Sequence, residues 1–153
     1  MHRNLINKKL KGFSLFEIVL TIGILLIIST FVFPITIQKV QETKLETYVK
    51  QLITDIYYQQ QQSFYKNSSH GLSISPNGYT IFDGESLSTS TESSYKDYPP
   101  RIQLFSVTFP DNEFYFPNGD FRPSSSGEVT FTDGLNYFTV NINKEGLIDY
   151  DII

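Results

Sequence analysis

The chain opens with a long apolar run. Between residues 13 and 37 the only charged side chain is Glu17, and residues 18–28 are apolar except for Thr21 and Gly23. A helix of roughly 20 such residues is long enough to cross a bilayer. We therefore predict a membrane-spanning helix over residues 13–37.

The apolar run passes without a break into an amphipathic pattern over residues 38–66. Glu46 and Lys50 form an i, i+4 pair on its polar side. We expect one helix from about residue 13 to 64, ending in the breaker cluster 67–71, where His70 is interpreted as a solvated linker residue without a role. The apolar positions recur at the spacing of one helix face: Leu45, Tyr48, Val49, Leu52, Ile53 and Ile56.

From residue 71 to 153 the pattern is that of short strands separated by turns. An early hairpin is predicted around Asn77 and Gly78, whose residues tolerate the positive dihedrals of a tight turn. The expected fold class is α+β, with one long helix packed on a small antiparallel sheet domain and completing its core. The predicted strands are 72–74, 79–82, 101–109, 113–116, 128–132, 137–143 and 147–152.

Residues 83–100 have few apolar side chains and a serine and threonine cluster, so they are predicted to form a long surface loop. The loop either contacts a partner or is a solvated excursion.

The charge distribution sets the expected orientation. Basic residues precede the apolar run, which by the positive-inside rule keeps the N-terminus in the cytoplasm and places the later residues outside. Without the four basic side chains of residues 1–12, the leader, the chain has 8 basic and 16 acidic residues, a formal net charge of −8. Nucleic acids are bound largely through their phosphates, so we expect no nucleic-acid binding by the sheet domain of residues 71–153, which we call the head. The leader's basic residues are Arg3, Lys8, Lys9 and Lys11.

No pattern in the chain indicates catalysis, a cofactor or a metal. The sequence lacks a phosphate loop, an HExxH or GxSxG motif and any cysteine. A few carboxylates are close in sequence, but they have no recognisable calcium loop, and we expect no metal site. These carboxylates are Asp111, Glu113, Asp149 and Asp151.

An ordinary secretory signal is the alternative interpretation of the apolar run. Its cleavage would need small residues of the Ala-x-Ala kind, and the sequence contains no alanine. The apolar run is therefore expected to remain in the mature protein.

After the basic leader, the chain continues with Gly12, Phe13, Ser14, Leu15, Phe16 and Glu17 and then with the unbroken apolar run. This stretch resembles the signal of type IV pilins and pseudopilins. The resemblance covers about the first 35 residues and implies that a membrane-embedded prepilin peptidase removes residues 1–12. Cleavage would follow Gly12, and Phe13 would become the methylated N-terminus.

The resemblance also implies a role for Glu17. A carboxylate buried in lipid usually has a partner, which in this family is the N-terminal amine of a neighbouring subunit, here that of Phe13. The alternative is that Glu17 reaches the headgroups by snorkelling. Gly23 and Pro34 are expected weak points of the helix, where resembling filaments loosen on assembly.

The order of helix, hairpin, loop and later strands is similar to the head of GspH/FimT-type minor pseudopilins. The resemblance implies a structural subunit of a type IV pilus, a type II secretion pseudopilus or a competence pseudopilus. Its partners would be prepilin peptidase, other pilin or pseudopilin subunits, the inner-membrane assembly platform and lipid. The expected location is a single-pass cytoplasmic membrane protein and then an extracytoplasmic filament. The alternatives are a major pilin and a membrane-anchored binding or adhesion module that does not polymerise.

Overall fold

The computed structural model describes residues 12–152, with side chains described over 12–29 and 43–152. The chain divides into two compact units, with the boundary between Lys39 and Val40. We describe each unit by itself.

A single helix, α1, runs from Leu15 to Tyr65 and contributes residues to both units. The helix predicted over about residues 13–64 is confirmed. It ends before Asn67, which adopts a positive φ of 57°. Asparagine tolerates this left-handed conformation better than most residues, so the predicted breaker cluster does stop the helix.

In the described residues of the second unit, eight antiparallel strands form two four-stranded sheets. The first sheet has the order β3-β2-β1-β5 and the second the order β4-β6-β7-β8. The sequence pattern indicates the strands but not their division into two sheets. The strands are β1 His70–Ser75, β2 Gly78–Asp83, β3 Ser93–Asp97, β4 Gln103–Val107, β5 Glu113–Phe116, β6 Gly127–Thr132, β7 Tyr137–Ile142 and β8 Ile148–Ile152.

The first hairpin is confirmed, but its turn lies one residue earlier than predicted. Ser75 pairs with Gly78, so the two turn residues are Pro76 and Asn77. Proline fixes a φ suited to the first central position of a type I or II turn, and Asn77 does not need a positive φ. Gly78 instead lies in β2, where an added Cβ would be 2.6 Å from the ring of Tyr95.

The prediction of a long surface loop over residues 83–100 was wrong in its central part. A 3-10 turn forms at Leu87–Thr89, and β3 pairs with β2 in the register Thr80 to Tyr95. Four of the five β3 residues are exposed. An edge strand can be held by backbone hydrogen bonds to its neighbour while its side chains stay polar, which is why the low apolar content was misleading.

The core of the second unit is built from α1 and from both sheets. Leu45, Val49, Leu52 and Ile56 are completely buried, and Ile53 packs against them, so the predicted helix face is confirmed. Burying one such side chain contributes roughly 1.5–3 kcal/mol.

Tyr48 on the same face contacts both sheets. Its ring centroid is 6.4 Å from that of Tyr79 in β2 and 5.5 Å from that of Phe131 in β6. Aromatic pairs at these separations contribute beyond the area that they bury. The helix therefore joins the two sheets into one hydrophobic core.

Candidate functional site

The predicted cleavage bond lies just before helix α1. Gly12 and Phe13 are both exposed, with Phe13 at 83% of its full accessibility, and the helix begins two residues later. A Cβ added at Gly12 would have no neighbour within 4 Å. A substitution at Gly12 would therefore create no close contact with the described residues.

Ser14 and Glu17 form a capping box at the start of the helix. The Ser14 hydroxyl accepts a hydrogen bond from the Phe16 N–H at 3.3 Å, and the Glu17 carboxylate accepts one from the Ser14 N–H at 3.3 Å. These two bonds satisfy donors that a helix terminus leaves unpaired. This role of Glu17 was not predicted, although the Ser-x-x-Glu spacing before an apolar run is its known signature.

The large apolar side chains from Leu15 to Ile28 are exposed in their own unit. Large exposed apolar surfaces mark contacts with membrane, protein or ligand. The exposed side chains are Leu15, Phe16, Ile18, Val19, Leu20, Ile22, Ile24, Leu25, Leu26, Ile27 and Ile28.

Within the described part of the chain, no helix meets the combined length and apolar character of a membrane span. The side chains of residues 30–37, the second part of the predicted 13–37 span, lie outside the described residues.

Gly23 and Pro34, the predicted weak points, both lie within α1. A Cβ added at Gly23 would meet nothing within 4 Å, so no close packing requires a glycine there. The side chain of Pro34 is outside the described residues. Their role in loosening the helix stays a prediction.

In the second unit, Asp55 connects α1 to the first sheet. Its Oδ2 accepts hydrogen bonds from the Tyr79 hydroxyl and, at 2.7 Å, from the Lys96 ammonium. Burial, together with the hydrogen bond to Asp55, raises the pKa of Tyr79, so this phenol stays protonated and acts as the donor. The three side chains fix the helix against β2 and β3.

Further along the helix, Gln60 holds two loops together. Its Nε2 donates to the carbonyls of Phe121 at 2.8 Å and Gly146 at 2.9 Å. The Phe64 ring stacks on Phe121 with centroids 4.2 Å apart, and the Ser63 carbonyl accepts from the Gly119 N–H. One helical turn thus positions two connections between strands.

The interpretation of His70 as a solvated linker residue was wrong. The residue begins β1, is 3% exposed and pairs across the sheet with Asp83 and Phe116. Its side chain fits because the strand carries it beneath the end of the helix, where Ser68 Oγ lies 3.0 Å from Nε2.

The predicted carboxylate neighbours do not come together as a ligand set. In the described residues, no group of three or more histidine, cysteine, aspartate or glutamate side chains is arranged to hold a metal ion.

Comparison with solved structures relates this chain to a pilin. It superposes on the crystal structure of the type IV minor pilin FimU from Pseudomonas aeruginosa strain PAO1 with a TM-score of 0.55 and 9% sequence identity. The match covers 72% of this chain and 90% of FimU. The chain has a type IV pilin fold.

The expected α+β, pilin-like fold class is thereby confirmed. At 9% identity the likeness concerns the fold alone. No protein-family model matches the chain. No curated protein sequence matches it either.

Proposed function

We propose that the chain is a minor structural subunit of a type IV pilus or of a pseudopilus, without catalytic activity of its own. The observation that carries the proposal is the pilin fold combined with the signal-like N-terminus. The fold has a minor pilin among its structural neighbours. The exposed Gly12–Phe13 bond precedes a capped, apolar helix, as a processing site should.

In this proposal a prepilin peptidase removes residues 1–12 and Phe13 becomes the methylated N-terminus. Before assembly the apolar segment lies in the cytoplasmic membrane, with the leader inside and the head outside, as the basic leader favours. On assembly the segment leaves the lipid for a bundle of neighbouring helices, with the platform protein guiding the transfer. Its exposed apolar surface is suited to both environments.

Glu17 is assigned the role of pairing with the N-terminal amine of a neighbouring subunit's Phe13. An ionised carboxylate in an apolar bundle is unfavourable unless it has a partner. The capping bond from the Ser14 N–H uses Oε2, so the carboxylate retains further acceptor capacity.

The test is coexpression of the full chain with an active prepilin peptidase, followed by mass spectrometry. We expect loss of residues 1–12 and one added methyl group on Phe13. Gly12→Val should remain uncut, because its branched side chain would not fit a narrow protease cleft that the backbone of a glycine can enter. Gly23→Val is the matched control, since its site also has no neighbour within 4 Å, and it should be processed normally. An intact leader on the wild-type chain with peptidases from several such systems would overturn the proposal.

A further inference from the structure

A serine, a histidine and an aspartate are in contact between the end of α1 and the first sheet. Ser68 Oγ lies 3.0 Å from His70 Nε2, and His70 Nδ1 lies 2.8 Å from Asp83 Oδ1. Both separations fall within the roughly 2.6–3.2 Å that joins a nucleophile to its base and a base to the group that orients it. The imidazole thus has a hydroxyl at one ring nitrogen and a carboxylate at the other.

The backbone fixes where these three side chains lie. His70 begins β1 and is paired in the hairpin register with Asp83, the last residue of β2, so their side chains are cross-strand neighbours. Ser68 lies two residues before β1. The Gly84 N–H donates to the Ser69 carbonyl at 2.7 Å, which ties the loop that carries Ser68 to the end of β2. The hydroxyl is therefore held close to the ring by the fold.

The three side chains differ in accessibility in the order that a nucleophile and its base require. Ser68 is exposed, whereas the His70 side chain is only 4% exposed and that of Asp83 is 38% exposed. A reagent can reach the hydroxyl, while burial protects the ring from competing water. His70 and Asp83 also line an open groove of about 250 Å³, which leaves room for a compact group beside the ring.

We propose that Ser68 is an activated nucleophile that accepts a short acyl group from an ester or a thioester. Ser68 Oγ forms a bond to the acyl carbon, and His70 Nε2 takes the hydroxyl proton. The bond between the acyl carbon and the leaving group then breaks. The leaving group takes the proton from His70 and departs as an alcohol or a thiol, and the acyl group stays on Ser68 as an ester.

Asp83 is a positioning residue in this proposal, because it holds the ring and stabilises its protonated form. The reaction is a covalent modification of the subunit at one side chain. It goes beyond the proposed structural function and does not rest on it.

The test is reaction of the purified full chain, in detergent micelles, with a fluorophosphonate and separately with 4-nitrophenyl acetate, followed by peptide mass spectrometry. The fluorophosphonate should label Ser68 at least about 100-fold faster than Ser94, because general-base assistance contributes roughly 10²–10⁴-fold. Ser94 is the internal control, since it is also exposed and lines the same groove. The acetate should leave an acetyl ester on Ser68. Equal labelling of Ser68 and Ser94, or no acetyl ester on Ser68, would overturn the proposal.

Variants distinguish an activated hydroxyl from one that is only accessible. His70→Gln should slow the labelling of Ser68 about 100-fold. Asp83→Asn should slow it at least about tenfold, and Asp83→Glu should restore part of the rate, because a carboxylate stabilises the protonated ring better than an amide does. Asp83 is partly exposed, so its variants test the proposal even if the variant of the buried His70 does not fold.

Glu92→Gln is the matched control for the Asp83 variants. It removes an exposed carboxylate that lines the same groove, and it should leave the labelling rate of Ser68 unchanged. An unchanged rate in Asp83→Asn, or an equal loss in Glu92→Gln, would contradict the roles assigned to His70 and Asp83.

Discussion

The two roles assigned to Glu17 can be separated by two substitutions at the same position. Glu17→Gln keeps a side-chain oxygen that can accept from the Ser14 N–H, and glutamine is an accepted third residue of a capping box. It removes the charge. Glu17→Val removes both the charge and the cap. The difference between the wild type and Glu17→Gln therefore reports on the charge, and the difference between the two variants reports on the cap.

The helix cap and the ion pair contribute free energies of different size. Loss of a cap costs about 1 kcal/mol, which is about a fivefold change in an equilibrium. An ion pair at about 4 Å contributes about 4 kcal/mol at an effective dielectric constant of about 20, close to a thousandfold. If Glu17 pairs with a neighbouring amine, Glu17→Gln should lose nearly as much assembly as Glu17→Val. If Glu17 only caps the helix, Glu17→Gln should assemble like the wild type.

The assay is fractionation of the native host into processed membrane-bound subunits and subunits in sheared filaments. The ratio of the second pool to the first measures assembly after cleavage is complete. Glu46→Gln is the matched control, because it makes the same change at a partly exposed carboxylate of the same helix, 2.7 Å from Lys50. Normal incorporation of Glu17→Gln would refute the pairing, whatever the result for Glu17→Val.

Three further predictions concern the stability of the head, measured on the full chain by denaturant unfolding. Leu52→Ala should lower the free energy of unfolding by about 2–5 kcal/mol, because Leu52 is completely buried, whereas the exposed control Leu135→Ala should change it by less than about 0.5 kcal/mol. Asp55→Ala should lower the free energy of unfolding by about 3 kcal/mol, because it leaves the Lys96 ammonium and the buried Tyr79 phenol unpaired. A variant as stable as the wild type would refute this prediction. Gly146→Ala should destabilise by at least about 1 kcal/mol, since φ is +81° and its Cβ would overlap the Phe121 carbonyl.

Local sequence patterns predicted helices and strands well where one contribution to the free energy, such as the burial of apolar side chains, dominates. The buried face of α1 could be read from its three-and-four spacing, because burial of Leu52 and Ile56 outweighs any competing preference. Strand β5 was predicted at its observed bounds, Glu113–Phe116, between two turn clusters. The α+β class follows from these elements without knowledge of their pairing.

Features that depend on distant parts of the chain were not predictable in the same way. Strand β3 is specified by the free edge of β2, which no property of residues 93–97 reveals. The burial of His70 depends on the helix end above it and on Asp83 across the hairpin. The bonds from Gln60 to residues 61 and 86 positions away have no local signature.

The capping box was visible in the sequence, and it changes how the signal can be understood. Ser14 follows Phe13 directly, so the Ser14 N–H that donates to the Glu17 carboxylate belongs to the first peptide bond of the proposed mature chain. Cleavage leaves that bond intact and creates the amine one residue before it. The same carboxylate would therefore order the helix start within its own subunit and still hold oxygen lone pairs for a neighbour's amine. A glutamate at the third helical position satisfies both requirements. An aspartate, shorter by one methylene, would have to leave the cap to reach outward, so Glu17→Asp should retain the charge and yet assemble less well than the wild type.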